Sequence, residues 1–135
     1  MASLIVGIGE FRVSNDAADV LITHALGSCI GIMVRDPVAR VAGLLHYMLP
    51  ESRLDVERAV TMPCLFADTG IALLLERAFR LGAAKSRLIV AAAGGAKILD
   101  DASAFNIGLR NGVAMQKVFS QAGIPIRAAE IGGTR

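Results

Sequence analysis

Apolar positions along this chain follow two different periods, and the change of period marks out the elements. Residues 4–8 form a short β-prone run that meets Gly7, Gly9 and Glu10, and residues 11–13 prolong it past a bend. A weakly alternating run over residues 20–23 leads through Gly27, Ser28 and Cys29 into residues 30–34, which read as a buried strand. Asp36-Pro37 is a turn signal, with Asp at the first position and Pro at the second, so residues 41–48 return as the second arm of a hairpin. Pro50 closes that arm. Residues 51–65 read as an irregular connection with helical turns, because Pro63 limits any helix to the stretch before it.

From Asp68 the period becomes helical. Ile71, Leu74, Leu75, Ala78 and Phe79 share one face, Asp68 or Thr69 is placed to cap the start, and Gly82 stands at the stop. Residues 88–92 form a buried-type strand ending in Gly94-Gly95. A second helix runs from an Asn106 cap through Met115 and Phe119 to Gly123, and residues 125–131 make a last strand. This order predicts a mixed sheet with helices packed on it, an α/β layered domain. At 135 residues and 54% hydrophobic composition, one core over residues 1–135 is expected, and disorder is excluded.

Charge removes several classes of function. The net charge is +2 with no basic run, and there are five Phe, one Tyr and no Trp, so neither a phosphate-binding stripe nor a base-stacking platform is present to hold nucleic acid. The longest stretch without a charged residue, residues 20–34, is too short and too polar to span a bilayer. Without a basic flank ahead of the first apolar run the start does not read as a secretory signal, so a cytoplasmic location without membrane insertion is expected. Two cysteines, Cys29 and Cys64, are too few for a disulfide framework or a structural zinc site, and no metal is expected. Gly94-Gly95 lacks the Lys-Ser or Lys-Thr of a phosphate loop although Lys97 is near, and reads as a tight turn.

The hairpin brings the chemistry into view. With residues 36–39 as the turn, Cys29 stands directly opposite His46, at a Cβ separation of roughly 4.5–5.5 Å. A longer loop would shift that register. An imidazole that accepts the thiol proton raises the thiolate fraction, and thiolate attacks carbonyl carbon, so Cys29 is expected to alkylate below the pH of an ordinary thiol. The bend at Gly27 and Ser28 lets a substrate approach the backbone, and these amides with that of Cys29 are candidate oxyanion donors. The alternative is packing: free Cys is among the most buried residue types, and a His in an apolar strand is commonly a hydrogen-bonded core group. Composition and spacing alone favour that reading. Cys64, after a proline and without a paired His, also reads as packing, and His24 as a surface group.

Several blocks resemble the CheD family of chemoreceptor glutamine deamidases. They are residues 6–10 (Val-Gly-Ile-Gly-Glu), Thr23 with Leu26, Gly27, Ser28 and Cys29, then Arg35, Asp36 and Pro37, and residues 46–50 (His-Tyr-Met-Leu-Pro). Further on come Phe66, Ala67 and Asp68, then Gly94, Gly95 and Ala96, Asn106, Ile107 and Gly108, Arg110 and Asn111, and finally Gly132 and Gly133. The resemblance implies an α/β/α sandwich similar to the catalytic domain of cytotoxic necrotizing factor toxins. It implies Cys29 as nucleophile, His46 as general base and Thr23 as the third member that orients the imidazole. The implied reaction hydrolyses selected Gln side chains on chemoreceptor cytoplasmic helices to Glu and ammonia through a Cys29 thioester, with no cofactor. A CheC-type phosphatase is an implied partner, and a non-catalytic adaptor binding receptors or that phosphatase is the competing function. His24, Ala25 and Glu130 depart from the family pattern. The chain ends at Arg135, where relatives usually continue, so the resemblance implies a domain short at its C-terminal end.

Overall fold

A computed structural model describes residues 2–96 and 106–132. Lys97, Gly133 and Arg135 lie outside the described residues. Ten regular elements follow in order: β1 (Ser3–Ile5), β2 (Glu10–Ser14), β3 (Val20–Ile22), β4 (Ile30–Asp36), β5 (Val41–Tyr47), α1 (Val56–Thr61), α2 (Ala67–Arg80), β6 (Ile89–Gly94), α3 (Ile107–Ala122) and β7 (Ile126–Ile131). Strands β2, β5, β4, β6 and β7 form one mixed sheet in that spatial order, antiparallel except for the β6–β7 pair. Parallel strands β1 and β3 form a separate pair.

The first apolar run therefore divides between two sheets instead of continuing past a bend. The chain turns at Gly7, whose carbonyl accepts from the Glu10 amide, and Gly9 adopts a φ of +76°. A Cβ at Gly9 would also meet Leu65 Cδ2 at 2.7 Å, so glycine answers both demands there.

Helices α2 and α3 lie on the same face of the sheet. Gly70 of α2 packs on Leu45, and Tyr47, two residues along β5 and so on the same face, donates its hydroxyl to the Asn111 carbonyl of α3 at 2.6 Å. Ile30, Ile32 and Val34 of β4 and Val41, Leu45 and Tyr47 of β5 meet Ile71, Leu74, Met115 and Phe119 of the two helices in one core. The opposite face carries Gly31 and His46, with Thr23 and Leu26 of the chain after β3 lying over Gly31. Among the described residues the long helices thus form a single layer on a mixed sheet.

The α2 start differs from the sequence expectation. Phe66 holds the cap position with no side-chain bond, because the Asp68 carboxylate accepts from the Ser52 amide (2.9 Å) and hydroxyl (2.6 Å), and Thr69 donates to the Pro63 carbonyl. Both side chains pin the 51–65 connection instead, which contains α1 between two short 3-10 turns. Phe79 is partly exposed rather than on the buried face. Asn106 does precede α3, in a left-handed conformation and without a side-chain cap, and Gly123 closes that helix as its sequence predicts.

Candidate active site

The β4–β5 register is offset by two residues from the one expected. Asp36 pairs with Val41, so the loop spans residues 37–40 and ends on Arg40 at a φ of +57°. Gly31, not Cys29, stands opposite His46. The physical reason is the turn: a two-residue type I turn splays hairpin strands, and a four-residue loop relieves that. An even offset keeps every side chain on its face. Cys29 itself lies in the bend just before β4, two positions ahead of the Gly31 that pairs with His46; strand geometry continued back to it would set it diagonal to His46, a relation for which Cβ atoms lie roughly 7–8 Å apart or somewhat less.

Three contacts fix His46, which is 1% exposed. Its carbonyl accepts from the Gly9 amide at 2.7 Å, and its neighbour across β4 is a glycine, which leaves room for the ring. A Cβ on Gly31 would come within 3.3 Å of Leu26 and 3.5 Å of Thr23. The third contact is Thr23 Oγ1 to His46 Nδ1 at 2.9 Å. Thr23 Oγ1 also donates to the Val6 carbonyl at 2.7 Å. A hydroxyl has one proton, so with that proton on Val6 the oxygen accepts from Nδ1–H of the imidazole. In the neutral ring this leaves the Nε2 lone pair free, and Nε2 is buried with no hydrogen-bond partner among the described residues.

Burial pushes the Cys29 thiol up and the His46 imidazole down from their ordinary values. Both shifts favour the uncharged form of each group. This revises the expectation that Cys29 alkylates below the pH of an ordinary thiol, because desolvation disfavours thiolate when no cation stabilises it.

The turn that carries Cys29 is braced from below. Cys29 N–H donates to the Leu26 carbonyl at 2.7 Å, so it belongs to the turn and is not among the free oxyanion donors the sequence suggested. The amides of Gly27 and Ser28 make no hydrogen bond to a described residue. Gly27 has a φ of +53°, and a Cβ built there would meet nothing within 4 Å among the described residues. The Gly94-Gly95 pair holds the other side: Gly95 N–H donates to the Cys29 carbonyl at 2.9 Å, and Ala96 N–H to the Gly27 carbonyl at 2.8 Å. A Cβ on Gly94, at a φ of +110°, would lie 2.1 Å from the Cys29 carbonyl oxygen.

Of the residues named from the sequence, the structure joins Thr23 to His46 directly, and the side chain that braces their surroundings had no role assigned from the sequence. Asn111, fully buried on α3, donates from Nδ2 to the carbonyls of Ser28 and Met48, each at 2.9 Å. In the sequence it stood only within the Arg110-Asn111 block of the family resemblance, with no role attached. Cys64 is buried and its thiol is pushed up to about 11 by burial, as packing requires, while His24 is exposed. Among the described residues no cluster of His, Cys, Asp and Glu could hold a metal ion, and no helix is long and apolar enough to cross a membrane.

Comparison with known proteins adds the family. A family model described as CheD chemotactic sensory transduction matches residues 48–135. The chain is 50% identical over 132 residues to the probable chemoreceptor glutamine deamidase CheD 1 of Syntrophus aciditrophicus, covering 98% of this chain and 82% of that protein. It is 46% identical over 134 residues to the probable chemoreceptor glutamine deamidase CheD of Solibacter usitatus, covering 99% and 79%. The chemoreceptor glutamine deamidase CheD of Thermotoga maritima is 37% identical over 131 residues, with 97% and 80% covered.

Proposed function

The chain belongs to the CheD family, and on that footing we propose that it is a cysteine hydrolase that converts selected glutamines of chemoreceptor cytoplasmic helices to glutamate and ammonia. The observation that carries this reading is the Val6–Thr23–His46 chain of hydrogen bonds, which leaves a buried imidazole lone pair on the sheet face of Cys29. A core histidine would have both nitrogens satisfied.

In the proposed reaction Nε2 of His46 takes the Cys29 proton as sulfur adds to the carboxamide carbon, so neither group need be charged beforehand. The imidazolium that forms keeps its Nδ1–H on Thr23. Amides of Gly27 and Ser28 donate to the oxyanion, in the one part of the turn whose N–H groups are uncommitted to described residues. His46 then returns the proton to the departing nitrogen, ammonia leaves and a thioester remains. A water, deprotonated by the same Nε2, attacks the thioester, and collapse releases Glu and restores the thiol. The chain's own groups supply nucleophile, base and oxyanion donors, so the scheme uses no cofactor.

Three further parts of the proposal rest on the family resemblance. They are the likeness of the fold to the cytotoxic necrotizing factor catalytic domain, a CheC-type phosphatase as second partner, and residues 1–135 acting as one deamidase domain. A receptor-helix substrate would place the protein in the cytoplasm. The test is conversion of Gln to Glu in a receptor cytoplasmic fragment, followed by mass spectrometry with wild type and Cys29→Ala side by side. Conversion by wild type and its loss in the variant support the proposal. Equal conversion by both would eliminate the Cys29 route, and binding without conversion by either would leave an adaptor in its place.

A further inference from the structure

Nucleophile and base sit on different chain segments, and one side chain ties those segments together. Asn111 of α3 donates from Nδ2 to the carbonyl of Ser28, the residue before Cys29, and to the carbonyl of Met48, two residues after His46. Those carbonyls need a double N–H donor between them, so the amide orientation is fixed by its partners. Asn111 is fully buried, and its Oδ1 has no hydrogen-bond partner among the described residues.

Its own backbone is anchored as firmly. The Asn111 carbonyl accepts from Tyr47, whose ring is buried beside His46 in the chain but on the opposite sheet face. Gly108, one turn earlier, packs so closely that a Cβ there would lie 2.3 Å from the Ala96 carbonyl oxygen and 2.5 Å from that of Gly95, and Gly95 is the residue that holds the Cys29 carbonyl. The first turns of α3 therefore grip both sides of the nucleophile's turn. On the deamidase reading above, we infer that Asn111 is a positioning residue: its carboxamide sets the separation between the Cys29 turn and the end of β5, and so the approach of sulfur to the imidazole.

Asn111→Asp tests this, because at neutral pH a carboxylate of the same shape donates neither bond and faces two carbonyl oxygens. Phe119→Leu, a buried change further along α3, is the stability control. The expected result is a fall of roughly 10–100-fold in kcat with KM within about twofold for Asn111→Asp, and wild-type kcat for Phe119→Leu at a comparable loss of Tm. Lowering the pH should recover part of the Asn111→Asp rate relative to wild type, since a protonated carboxyl regains one donor. If Asn111→Asp does not fold, Asn111→Ser is read by the same split. An unchanged kcat, or falls in kcat that track Tm in both variants, would overturn the inference. A wild-type protein that converts no glutamine would instead defeat the deamidase reading itself.

Discussion

The β4–β5 hairpin buries polar side chains at both of its ends, and the two ends treat them in opposite ways. At the turn, Asp36 is fully buried and fully served: Oδ1 accepts from the amides of Val38 (2.9 Å) and Ala39 (3.1 Å), and Oδ2 from the amide of Ala84 (2.8 Å). Arg87 closes the set with Nη2 at 2.9 Å. The Arg87 guanidinium first, and then the three amides, hold the Asp36 carboxyl well below the usual carboxylate range against the opposing effect of burial. At the open end, His46 and Asn111 are as deeply buried, yet Nε2 of one and Oδ1 of the other have no partner among the described residues. A buried polar group left unpaired costs about 1–3 kcal/mol in general, which a fold tolerates where the free valence is used in chemistry. One hairpin thus carries an end whose buried polar groups are fully paired and, on the proposed reading, an end that does the chemistry.

The strongest break of this contrast is Cys29→Ala. Conversion of receptor glutamine should fall by on the order of 10³-fold or more while Tm stays within a few degrees, measured by mass spectrometry and thermal melting. Gly94→Ala comes next, since its methyl would enter the Cys29 carbonyl at a left-handed φ. A loss of roughly 10²-fold in kcat/KM is expected from displacement of the turn, with a lowered Tm. Thr23→Val keeps the shape and removes the hydroxyl, so Nδ1 loses its acceptor and the tautomer is no longer fixed. We expect kcat to drop about 10–100-fold with KM little changed in steady-state kinetics. Asp36→Asn sharpens the comparison from the other side. It should lower Tm by roughly 5–15 °C and leave kcat per folded molecule intact.

The pH responses of the two ends should differ as well, by a smaller amount. Burial lowers the His46 value, so the free base persists below the ordinary histidine range, and the acid limb of kcat/KM should lie below about 6.5. Stability from the same shift is complete above the unfolded value and declines as pH falls through it, because the unfolded chain binds the proton more readily. Asp36, with a lowered carboxyl value, contributes stability that is present above about 3.9 and lost only in stronger acid. Melts across pH should therefore show a shallow loss beginning near neutrality and a steeper one in acid, and Asp36→Asn should remove only the second.

Much of the hairpin was legible in the sequence. Asp36-Pro37 marked its turn, the apolar runs marked its arms, and parity placed Cys29 and His46 on one face whatever even number of residues the loop held. The direct pairing was not legible, because loop length depends on how Arg40 closes the turn, and no residue type announces a left-handed arginine. The α2 cap failed for a related reason: Asp68 has the right chemistry for capping, but Ser52, sixteen positions earlier, competes for its carboxylate. Thr23 entered through the family resemblance, since a threonine after a three-residue strand carries no chemical signal of its own. Asn111 was named in the resemblance, but its role was hidden because its two acceptors are backbone carbonyls, which leave no trace in residue identity.

Nε2 of His46 can act as base only if the ring proton sits on Nδ1, and nitrogen NMR of the labelled histidine reads that directly. At neutral pH it should show a protonated Nδ1 and an unprotonated Nε2, and Thr23→Val should mix the two tautomers. A wild-type His46 protonated on Nε2, with Nδ1 bare, would contradict that role.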